Sequence, residues 1–90
     1  MEISFSTRGF DDLLQLLERE PKLARKLARL LREIRKHPFT GTGKPEPLKH
    51  EFSGWWSRRI NQEHRLVYRI TTREDGDQVC EIVQCFTHYG

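Results

Sequence analysis

Met1, Ile3 and Phe5 alternate with Glu2, Ser4 and Ser6, the period of two that sets one side of a strand against a core. The period then changes. Phe10, Leu13, Leu14 and Leu17 recur at helical spacing, predicting a first helix with one apolar stripe, capped by Thr7 and stopped by Pro21. Pro21 suits the first turn of a second helix, in which Leu23, Leu27, Leu30, Leu31 and Ile34 form the buried stripe. Lys22, Arg25, Lys26, Arg29, Arg32 and Lys36 fill the remaining surface of that helix, and charge opposite a leucine stripe reads first as ordinary solvation. The two helices make a hairpin.

Between Pro38 and Pro47 the chain carries Gly41, Gly43, Pro45 and Pro47, which predicts an ordered loop without regular structure and sets Glu46 between two prolines. Beyond it the pattern turns to β. Ser53-Gly54 forms a turn, Trp55–Asn61, His64–Thr71 and Gln78–Thr87 read as strands, and Glu74-Asp75-Gly76-Asp77 closes the last hairpin. The order β-α-α-β-β-β predicts an α+β fold, an antiparallel sheet with two N-terminal helices packed on one face.

Composition narrows the class. Ninety residues with 36% hydrophobic and 32% charged side chains predict one folded domain over 1–90. No apolar run approaches the roughly 20 residues that span a bilayer, and the first residues lack the layout of a secretion signal. The expected location is the cytoplasm, with no membrane partner. Cys80 and Cys85 stand five apart on one expected strand, where odd offsets face opposite ways, so both are read as reduced thiols. A net charge of +3 and a pI near 9.1 favour an anionic partner.

Few residues offer chemistry. Metal-free cleavage of RNA needs a base for the 2′-hydroxyl, an acid for the departing 5′-oxygen and cations for the phosphorane. Glu46 in its stiffened loop, Arg58, Arg59 and Arg65 on one expected hairpin, and His88 at the end of the last strand supply these types. A three-residue connection at Asn61-Gln62-Glu63 would set Arg59 and Arg65 opposite each other. Singly, each has a plain reading: a solvated glutamate, surface arginines, a frayed terminal histidine. One of the adjacent pair Trp55 and Trp56 faces out, either to cover the sheet or to stack on a base. His37, His50, His64 and His88 are scattered, without metal-ligand spacing. Gly41-Thr42-Gly43-Lys44 is followed by proline rather than a helix, so it makes no phosphate loop.

The blocks Gly43-Lys44-Pro45-Glu46-Pro47-Leu48-Lys49-His50, Ser53-Gly54-Trp55-Trp56-Ser57-Arg58-Arg59-Ile60, Glu63-His64-Arg65-Leu66-Val67-Tyr68 and the closing His88-Tyr89 closely resemble the Txe/YoeB toxins of the RelE/ParE superfamily. The likeness runs from Asp11-Asp12 to the C-terminal His-Tyr. It implies a RelE-like microbial ribonuclease fold. It also implies a toxin of a bacterial toxin–antitoxin pair that enters the ribosomal decoding site and cleaves messenger RNA there. Such a toxin works without a cofactor, usually as a homodimer, until a cognate antitoxin inhibits it. By the same resemblance Glu46 is the general base, His88 the general acid and Arg65 the transition-state cation. Arg59 assists, Lys49 supports and Tyr89 positions substrate. Departures are the longer Thr71–Val79 stretch, Phe86-Thr87 where a basic residue is usual, and the added Gly90. The alternative within the superfamily is a ParE-like toxin that poisons a protein such as DNA gyrase by binding. The co-occurrence of Glu46, Arg65 and His88, which a pure binder does not need, weighs against it.

Overall fold

A computed structural model describes residues 1–87 of the chain. The elements run β1 (Glu2–Phe5), α1 (Thr7–Arg19), α2 (Pro21–Lys36), β2 (Glu46–Pro47), a short 3-10 turn (His50–Phe52), β3 (Trp56–Arg59), β4 (Arg65–Thr72) and β5 (Gln78–Gln84). The strands form one sheet in the order β1-β5-β4-β3-β2. The α+β class is as expected, with one correction: β1 runs parallel to β5, while the other pairs are antiparallel. Parallel neighbours need a long crossover, and the helical hairpin provides it by returning the chain before β2. β5 thereby lies between two strands, which suits its nearly continuous apolar run from Val79 to Val83.

α2 follows its sequence stripe, with Leu27, Leu30 and Ile34 fully buried. α1 does not. Ser6 rather than Thr7 caps it, accepting the Gly9 N–H at 3.0 Å, and the face turned inward carries Gly9, Asp12 and Leu16. Phe10, Leu14 and Leu17 are left 46%, 41% and 53% exposed. The rotation has two causes. A Cβ at Gly9 would stand 2.5 Å from the Ile82 carbonyl oxygen, so only glycine permits this close approach to β5. Asp12 also turns in, where its carboxylate accepts the Cys85 and Phe86 N–H groups at 3.1 and 3.3 Å.

The core closes around a buried cation. Arg58, fully buried on β3, donates from Nε to the Tyr68 hydroxyl at 3.1 Å and from its two Nη atoms to the carbonyls of His37, Thr40 and Thr42 at 2.6, 2.8 and 3.2 Å. The Tyr68 hydroxyl in turn donates a hydrogen bond to the Pro38 carbonyl at 2.7 Å, and burial pushes its pKa up. Residues 37–42 are thus strapped to the sheet by a guanidinium, which corrects its assignment to the candidate phosphate-binding cations.

Glu33 fastens the same loop from α2, accepting the Thr42 N–H at 2.7 Å. That bond, helped by Arg58 3.6 Å away, holds its carboxyl below the ordinary value. A carboxylate with a depressed folded pKa adds stability above its unfolded pKa and loses it as pH falls through the folded one. Stability is therefore expected to decline as pH drops below about 4.5, the ordinary glutamate value. Glu33→Gln should flatten that decline in denaturant titrations; an unchanged slope would remove Glu33 from the acid response.

Cys80 and Cys85 are free, as expected, but both are buried in the same core. Cys85 lies one residue past the end of β5, where strand alternation no longer applies. Burial pushes both thiols up to about 12, so neither supplies a thiolate nucleophile near neutral pH.

Candidate active site on the open face of the sheet

With both helices on one side of the sheet, the other face is available for function. Glu46, read as a loop residue, is registered by a two-residue strand: Glu46 pairs with Ser57 and Pro47 with Trp56. The loop before it is seated directly on β3, where the Arg59 N–H donates to the Gly43 carbonyl at 2.6 Å. Gly43 takes φ +86°, and a Cβ there would come within 2.9 Å of the Arg59 carbonyl oxygen, so a larger residue would lift the loop and Glu46 with it.

Arg59 and Arg65 are cross-strand partners, as the hairpin reading expected, although the link between them spans five residues, 60–64. Residues paired across antiparallel strands share a face. Ser57 and Arg59 on β3, with Glu46 and Arg65 opposite them, therefore form one patch. Within it Arg65 Nη1 donates to Glu46 Oε1 at 3.3 Å and to Ser57 Oγ at 3.4 Å. Lys49 is exposed three residues beyond Glu46, at the start of the 3-10 turn.

The energetics separate this patch from the core. The side chains of Arg65 and Glu46 are 42% and 54% exposed, and an ion pair in such solvent contributes about 0–1 kcal/mol. Two arginines directly opposite each other repel. Folding gains little from this cluster, whereas one carboxylate beside two guanidiniums is suited to meet a phosphate and remove a nearby proton.

His88 and Tyr89, the expected acid and substrate-positioning residues, lie outside the described residues. The chain just before them is well fastened. Thr87 donates its N–H to His64 Nδ1 at 3.0 Å, and its Oγ1 accepts the Arg65 N–H at 3.3 Å. His64 is buried and stacked on Phe86 with ring centroids 4.4 Å apart. To accept at Nδ1 it must be neutral with its proton on Nε2. Together with Asp12 and the Arg65 N–H, it ties residues 85–87 to α1, to the β3–β4 link and to the start of β4.

Sequence reading missed Asp12 and His64. Asp12 stands at helical spacing from Gly9 and Leu16, a visible signal hidden by its charge. Nothing local distinguishes His64. Among the described residues, no group of three or more His, Cys, Asp or Glu side chains gathers as a metal site would require, and no helix is long and apolar enough to cross a membrane.

Comparison with known proteins finds relatives of the whole chain. A family model described as YoeB-like toxin of bacterial type II toxin–antitoxin system matches residues 5–89. Toxin YoeB of Escherichia coli (strain K12) is 44% identical over 89 residues, covering 99% of this chain and 100% of that protein. The solved YoeB/ParE toxin from Agrobacterium tumefaciens aligns with TM-score 0.91 and 38% identity, over 99% of this chain and 100% of the other. A YoeB dimer and a heterotetrameric YoeB–YefM toxin–antitoxin complex, both from Staphylococcus aureus, each align with TM-score 0.83 and 38% identity, over 99% of this chain and 98% of theirs.

Proposed function

The chain belongs to the YoeB-like toxins of bacterial type II toxin–antitoxin systems, and from that premise we propose that it is a metal-independent endoribonuclease that cleaves messenger RNA in the ribosomal decoding site. The reading is supported by the Glu46–Arg65 contact at 3.3 Å. Residues 19 positions apart are gathered on an open sheet face, with Arg59 in register beside them, in a pairing that stability does not require.

In the proposed reaction the Glu46 carboxylate takes the 2′-hydroxyl proton and O2′ attacks the adjacent phosphorus. The bond to the 5′-oxygen breaks, and His88 donates a proton to that leaving oxygen. The products are a 2′,3′-cyclic phosphate, opening to a 3′-phosphate, and a 5′-hydroxyl. Arg65, assisted by Arg59, neutralises the charge that develops on the phosphorane. Lys49 adds positive charge, and Tyr89 positions the substrate.

The same reading includes a cognate antitoxin, a homodimer and a cytoplasmic site of action. The solvent-facing row Phe10, Leu14 and Leu17 on α1 supports a protein partner, because contiguous exposed apolar side chains mark association surfaces. The test programs purified ribosomes with a defined messenger RNA, adds the protein and maps the new ends. Expected are cuts in the A-site codon with 5′-hydroxyl and cyclic or 3′-phosphate ends, suppressed by the cognate antitoxin. Intact messenger RNA alongside inhibited gyrase would overturn the reading in favour of a binding toxin.

A further inference from the structure

On the same sheet face as the Glu46–Arg65 pair lies a mostly apolar groove of about 640 Å³, whose walls include Leu48, Phe52, Trp55 and Val67 together with the polar side chains of Arg8, Glu51 and Gln84. We propose that this groove receives a nucleobase flanking the scissile phosphodiester; the inference rests on the nuclease reading above for where that phosphodiester lies.

Register carries the argument first. Glu46, Ser57 and Val67 are successive cross-strand partners, so the groove floor begins two strand spacings, about 10 Å, from the proposed base. One nucleotide with its phosphate at Arg65 spans that interval. The shape of the walls comes second. Trp55 is held from one side by the Arg69 guanidinium 4.5 Å from its ring centroid, and Arg69 is itself fixed by Glu81 Oε2 at 3.1 and 3.0 Å. Phe52 stands on the 3-10 turn with 54% of its surface exposed, an aromatic outside the core cluster. Immobilised and exposed rings of this kind are stacking platforms for single-stranded bases. Polar groups complete the case. Arg8 donates to Gln84 Oε1 at 3.2 Å, leaving the amide N–H₂ of Gln84 and further guanidinium N–H groups to meet the edge of a base. Arg8, Arg59 and Arg65 also line this side of the sheet with the charge a nucleic-acid backbone needs.

The experiment has two arms. In ribosome-programmed cleavage, Phe52→Ala should raise the half-saturating concentration about tenfold and leave the melting temperature unchanged. With messenger RNA carrying an abasic nucleotide beside the cut, wild type and Phe52→Ala should become equal. An undiminished Phe52→Ala, or a deficit that persists on abasic RNA, overturns the proposal. The second arm needs no cleavage. Trp56→Phe leaves Trp55 as the sole tryptophan of the two in the chain, and its fluorescence is titrated with a 2′-O-methyl trinucleotide and with the abasic counterpart. Quenching by the base-bearing trinucleotide alone upholds the groove even if wild type cuts nothing, in which case the nuclease reading fails separately. Equal responses to both trinucleotides overturn the proposal. So does a Phe52→Ala variant that loses antitoxin binding while both RNA readouts stay at wild-type values, an outcome that assigns the groove to protein.

Discussion

Arg58→Met is expected to lower the melting temperature by about 15–30 °C, the shift that a loss of about 3–5 kcal/mol produces in a domain of this size. Methionine nearly matches arginine in volume, so cavity formation contributes little to the loss. What disappears is the guanidinium fork that serves the Tyr68 hydroxyl and the carbonyls of His37, Thr40 and Thr42. Each hydrogen bond to a charged group contributes about 1.5–3 kcal/mol, and the acceptors left behind are only partly accessible to water. Arg58→Lys should recover little, because an ammonium cannot span acceptors arranged around a planar fork. Thermal unfolding followed by circular dichroism measures the effect. A fall below about 5 °C would mean that water replaces the fork at little cost and that residues 37–42 are held by other contacts.

Glu46→Gln is expected to reduce single-turnover cleavage on programmed ribosomes by about 10²–10⁴-fold, the usual contribution of a positioned general base. Its melting temperature should stay within about 5 °C of wild type, since the exposed bridge it breaks contributes about 0–1 kcal/mol. Arg65→Ala should cause a loss of similar size. The double variant should lose less than the product of the two, because the groups act on one phosphate. Arg65→Lys keeps the charge but not the two-pronged geometry, and should regain only part of the rate. Cleavage at the wild-type rate by Glu46→Gln would remove the carboxylate from the mechanism. Full additivity in the double variant would place the two residues on separate steps.

α2 and the three C-terminal strands were readable because their periodicities stood clear of competing signals, and Pro21 marked the helix junction in both sequence and structure. α1 was readable as a helix but not in its orientation. The largest side chains suggested Phe10, Leu14 and Leu17 as the buried face, whereas the contact with β5 depends on a missing Cβ at Gly9 and a carboxylate at Asp12. Burial followed closeness of approach and hydrogen-bond demand, neither of which is a property of hydropathy. Arg58 and Arg59 show the same limit more sharply: adjacent arginines on one strand point to opposite faces, one into the core and one to solvent.

The chain by itself determined β1, the two helices and the last three strands, the Gly-Pro segment around Glu46 and the residue types from which a phosphodiester centre could be built, because propensity, periodicity and turn chemistry act over a few neighbouring positions. Only the tertiary structure decided that β1 lies parallel to β5, that Arg58 belongs to the core, and that Glu46 and Arg65 touch across two strand pairings. Those outcomes depend on which surfaces meet at a distance in sequence, and on the register in which backbone hydrogen bonds lock them together.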